Sequence, residues 1–166
     1  MKPAKAILVP AIVVLLIDDT AACVGTTPAM QYERYGFRLQ AAQAGIDRAA
    51  NAYFLEGSAG HSTGDPLPAE WTGNTIKFLQ AAATQGDTTS MYLLSQIYEK
   101  GLIVPADQQR ALTYVVAALD YSPGATSVEN AAIRRRSVGL TPDQVQLAVN
   151  QGKELAAQAR ANKERP

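Results

Sequence analysis

The only histidine of the chain, His61, stands in "GSAGHSTGDP" with Ser58, Ser62 and Asp65 around it. These are the residue types of nucleophilic catalysis, in which a hydroxyl attacks while an imidazole takes its proton. Triad members meet through tertiary geometry, however, and not by crowding in one loop. The stretch also lacks the Gly-x-Ser-x-Gly turn that presents a nucleophilic serine. His61 therefore reads as an exposed loop histidine. Glu56, Asp65 and Glu70 surround the same loop, but their spacing pins no two of them together as an acid/base pair. One histidine and one cysteine, far apart in sequence, do not make a metal site. No catalytic residue, no metal and no other cofactor is expected. The contrasting reading, an enzyme built on the His61 loop, requires that replacing His61 or Asp65 abolish function while leaving the fold intact.

Two further groups of residues have chemistry of their own. Arg134, Arg135 and Arg136 form a run in "AAIRRRSVG". Guanidinium groups grip carboxylates and phosphates bidentately, so the run suits an acidic partner or lipid phosphates. Three successive helix residues point in different directions, which favours a solvated helix face. Cys23 is the only cysteine and cannot close an internal disulfide. It closes the stretch "DDTAAC", where Thr20 and Ala22 are small residues at the −3 and −1 positions of a cut before Cys23.

The segment before Cys23 gives that cut its meaning. Lys2 and Lys5 precede an apolar run, "AILVPAIVVLLI", residues 6–17. A charged start and a short apolar stretch are the parts of a signal peptide. Spanning a bilayer takes about 20 apolar residues, and Pro10 interrupts the run. Residues 1–22 are read as a signal peptide, the alternative being an uncleaved anchor. "TAAC" resembles the lipobox of bacterial lipoproteins, with Thr20 where leucine is usual. The resemblance implies a lipid on Cys23 that tethers the chain to a membrane surface. Residues 23–31 are small and polar and read as a flexible tether.

The remainder, residues 32–162, has helical periodicity throughout. The chain balances 15 Lys and Arg against 15 Asp and Glu, which gives no electrostatic reason for a nucleic-acid partner. Richness in Ala, Gln and Leu with few aromatics favours helix over strand. Helices are expected over 32–45, 46–56 with Gly57 as a stop, 71–85, 89–100 with Gly101 as a stop, 107–119 and 127–138. A last helix opens at Thr141-Pro142-Asp143, a cap, a first-turn proline and an acidic residue at the positive helix end, and runs to about 162. Residues 58–70 form a long loop by their Gly, Ser and Pro density. Met91, Leu94 and Tyr98 share a buried face by their spacing. Trp71 is either a staple at a helix start or an exposed interface anchor.

These helices repeat. "FLQAAATQGD" from Phe78 and "YVVAALDYSP" from Tyr114 align with Ala81 and Ala117 36 positions apart. "RLQAAQAGID" from Arg38 matches the first at an offset of 40, and "AYFLEG" matches "QIYEKG" at 44. A drifting period of this size is the mark of stacked helical hairpins. The stretch "LLSQIYEKGLIVPADQQRALTYVVAAL" resembles a Sel1-like repeat, a relative of the tetratricopeptide repeats. The matching positions are Leu94-Ser95, Tyr98, Gly101, Val104, Asp107, Ala111, Tyr114 and Ala117-Ala118. In this reading Leu102 and Val104 tuck into the hairpin base, and Asp107 caps the next helix.

The fold implied by the resemblance is all-α, a short α-solenoid of Sel1-like hairpins with a closing C-terminal helix. Such a stack presents a groove. With Met91, Leu94 and Tyr98 turned inward, Tyr92, Gln96 and Glu99 face out. The 44 offset adds Arg48 and the 36 offset adds Arg135. Arg48, Tyr92, Gln96, Glu99 and Arg135 are the expected partner-binding residues. The family implies a non-catalytic adaptor or scaffold that binds another protein, here on the periplasmic side of a bacterial membrane and held there through Cys23. Some exported relatives neutralise secreted toxins, so an immunity protein is the concrete alternative.

Overall fold

A computed structural model describes residues 28–46, 48–60, 69–122 and 126–164. The signal segment, Cys23, His61, Ser62 and Asp65 lie outside the described residues, and so do Pro123 and Gly124. The described chain is all helical, with seven helices and no strand: α1 Pro28–Gln43, α2 Ala49–Gly60, α3 Ala69–Thr84, α4 Thr88–Lys100, α5 Gln108–Tyr121, α6 Thr126–Arg136 and α7 Pro142–Lys163. None of them is long and apolar enough to cross a membrane. Each helix packs on its neighbour in sequence, and α7 lies back along α5 and reaches α3.

Glycines close three of the helices in the same way. Gly45, Gly86 and Gly101 adopt φ of 68°, 90° and 64°, the left-handed region that ends a helix. The residue after each donates its backbone N–H five positions back: Ile46 to Ala41, Asp87 to Ala82 and Leu102 to Ile97. Helix starts follow the expected chemistry. The Asp107 side chain accepts from the Arg110 amide at the start of α5. Thr141 and Gln144 form a reciprocal capping box with Pro142 in the first turn of α7.

Three expectations are corrected. Helix α1 begins at Pro28, inside the stretch read as tether, because proline suits a first helical turn. Gly57 does not stop α2, which continues to Gly60. It is buried, and a Cβ there would lie 1.9 Å from Trp71 Nε1, so this glycine makes room for the indole. Leu102 is exposed, while Ile103 and Val104 pack against the core in its place.

Trp71 belongs to the core, not to the surface. It stacks on Phe54 with ring centroids 6.3 Å apart. Tyr53 lies edge-on to Phe78 at 5.4 Å, and its hydroxyl meets that of Tyr35 at 2.7 Å. Burial, then the bond to Tyr35, pushes the Tyr53 phenol well above its ordinary value. The α5–α7 contact is built from small residues instead. Ala148, Gly152, Ala156 and Ala159 are the buried side of α7, and they let the helix backbones approach closely.

Candidate functional site

Helix α4 carries the surface stripe predicted from sequence. Ser90, Met91, Leu94, Ser95, Ile97 and Tyr98 are its buried face. Ser95 Oγ donates to the Ala111 carbonyl at 2.8 Å, which ties this face to α5. An α-helix turns 3.6 residues per turn, so Tyr92, Gln96 and Glu99 follow one another along the opposite side. Tyr92 is 39% exposed and Gln96 is exposed.

Glu99 is committed internally. Arg135, from α6, grips it with both ends of its fork, Nε to Oε1 at 2.7 Å and Nη2 to Oε2 at 3.2 Å. Arg136 adds Nη2 to Oε2 at 2.8 Å. The Glu99 side chain is 15% exposed and that of Arg136 only 4%, against 64% for Arg135. Burial pulls the Arg136 guanidinium below the ordinary arginine value, and the Glu99 carboxylate opposes that shift. The carboxylate is thus the counter-charge that lets Arg136 be buried, and the pair fastens α6 to α4. Arg135 keeps most of its side chain in solvent, on the same side as Tyr92 and Gln96.

Arg48 is not part of this face. It stands in the turn between α1 and α2 and lines a cavity of about 740 Å³ at the ends of α1 and α3. None of the other four predicted residues lines that cavity. The 44 offset placed Arg48 opposite Tyr92 by repeat register, but Arg48 precedes its helix whereas Tyr92 lies inside one.

Sequence reasoning missed two things here. The burial of Arg136 was hidden in an arginine run that reads as solvated. The second is a polar node joining α2 to the start of α4. Asp87 Oδ1 accepts from the Thr89 amide at 3.0 Å, and Asn51 Nδ2 donates to Asp87 Oδ2 at 2.9 Å. Ser90 Oγ lies 2.7 Å from that same oxygen and 2.9 Å from Asn51 Oδ1. The signal was Asp87 after a helix-ending glycine, which marks a cap but not its long-range partner.

Among the described residues, no group of three or more His, Cys, Asp or Glu could hold a metal ion. In comparisons with known proteins, no family model, no curated protein and no solved structure matches this chain.

Proposed function

We propose that the chain is a non-catalytic protein-binding module, a short α-solenoid of Sel1-like hairpins closed by α7. In this reading it is held at the periplasmic side of a bacterial membrane by lipid on Cys23, and it docks another protein as an adaptor or scaffold. The observation that carries the proposal is Tyr92. It is an exposed aromatic on a helix whose other face is locked by fully buried Met91 and Leu94. A rigidly mounted tyrosine offers a large contact area at little entropic cost, which makes it a fitting interface anchor. Gln96 and Arg135 stand beside it as polar rim. The polar outer side of α7, with Gln146, Asn150, Lys153 and Glu154 exposed, suits the terminal cap of a repeat stack.

The experiment is affinity capture of the full chain from its native envelope after crosslinking, with mass spectrometry of what co-purifies. A Tyr92→Ala/Gln96→Ala double variant serves as the reference. One stoichiometric protein, lost with the variant, is expected. Should that protein be an exported toxin, the role is that of an immunity protein; should it belong to envelope machinery, the role is that of a scaffold. Equal yields from both chains would sink the proposal.

A further inference from the structure

The cavity at the ends of α1 and α3 lies apart from the α4 stripe, and its lining has a distinct chemical character. Ala42, Ala50 and Phe78 are buried in its wall, and Tyr121 stands at the edge of the core. Small residues leave the hollow: Gly45 and Gly86 turn the chain there, while Ala81 and Ala82 project little into it. Its volume of about 740 Å³ is that of a small-molecule pocket.

The charges of the lining do not balance toward the hollow. Asp87 is its one carboxylate, and three donors from Asn51, Thr89 and Ser90 already occupy that group. The helix ends around it are closed by their own turns, with the carbonyls of Ala41, Ala42, Ala82 and Ala83 all accepting backbone N–H groups. The two cations of the lining are Arg48 and Lys163.

Arg48 adds an independent observation. It is the one non-glycine residue with positive φ among the described residues, at 60°. A side chain in the left-handed region is strained, and glycine would sit there without cost. Strain of this kind collects where a side chain has a task that folding does not require.

We infer that this cavity binds a small amphipathic anion, a carboxylate with an apolar body, with Arg48 and Lys163 holding the head group. The apolar body lies against Phe78, Ala82 and Tyr121. A charge-assisted hydrogen bond gives the head group its orientation, and the apolar wall supplies the hydrophobic contribution. This activity is separate from docking through Tyr92 and does not depend on it.

The test is calorimetric titration of the full chain with dodecanoate below its micellar range, and with dodecyltrimethylammonium, which has the same tail and the opposite charge. Saturable binding of dodecanoate is expected, tighter than that of the cation by roughly tenfold or more. Arg48→Gly and Lys163→Gln each weaken it, and the double variant reduces it by at least about tenfold. Ala81→Trp, at an exposed position of the rim, blocks the hollow and abolishes binding. Arg48→Gly leaves the melting temperature unchanged or higher, which separates lost binding from lost fold. Equal affinity for the two head groups, unchanged dodecanoate affinity in the double variant, or no saturable binding at all would overturn the inference.

Discussion

Around α2 the helices meet through rings: Tyr35, Tyr53, Phe54, Trp71 and Phe78 fill the space between α1, α2 and α3. Along α5 and α7 they meet through almost nothing, because Ala148, Gly152, Ala156 and Ala159 put one backbone nearly against the other. Both glycines at these contacts, Gly57 and Gly152, leave no room for a Cβ, but their neighbours differ. Gly57 faces the Trp71 side chain; Gly152 faces the Thr113 carbonyl, where a Cβ would lie 2.6 Å away. Ring packing can be undone by trimming a side chain, whereas backbone packing cannot. Helix α4 lies between the two regimes, packed against α3 on one side and α5 on the other. That double support leaves its outward stripe as a rigid platform.

The comparison is open to attack where the rings are thickest. Trp71→Ala should cost about 3–5 kcal/mol, the usual loss for emptying a buried aromatic site, read by chemical denaturation. Next come the glycines. Gly57→Ala and Gly152→Ala should each cost about 1–3 kcal/mol through overpacking. In a Trp71→Ala background the Gly57→Ala penalty should largely vanish, since the two positions share one space. Trimming Val116 to alanine should leave most of the Gly152→Ala penalty in place, because the carbonyl of Thr113 does not move aside. Rescue at Gly152, or none at Gly57, would remove the distinction between the two regimes.

Smaller effects sharpen the picture. Glu99→Gln should cost about 1–2 kcal/mol, since buried Arg136 loses its counter-charge while keeping a hydrogen-bond acceptor. Tyr53→Phe should cost about 1 kcal/mol by removing the bond to Tyr35. It should also change the alkaline response. The folded Tyr53 phenol holds its proton above the ordinary value, whereas the unfolded one releases it at about pH 10. The stability from this group is therefore full below that pH and falls as the pH rises further. Denaturation of both chains at neutral pH and near pH 11 should show a smaller alkaline loss for Tyr53→Phe.

Local chemistry was legible in the sequence, and contacts between distant residues were not. Gly101, Asp107 and the Thr141 start could be read directly because a cap uses residues within one turn. The exposure of Tyr92 and Gln96 followed from the spacing of Met91, Leu94 and Tyr98. Gly57 was misread because what it needs is room for Trp71, and only the packed structure supplies that reason. Glu99 was placed on the open surface because its arginines come from α6, beyond any local pattern. Arg48 was grouped with Tyr92 by register, yet its positive φ puts it in a turn above a different hollow.

The most direct measurement is site-specific photo-crosslinking in living cells. A benzophenone side chain would be placed at position 92 on α4 and, in a separate chain, at exposed position 147 on the outer side of α7. Docking through the α4 stripe predicts one discrete crosslinked protein from position 92 and none from position 147. The same product from both positions, or no product from position 92, would contradict it.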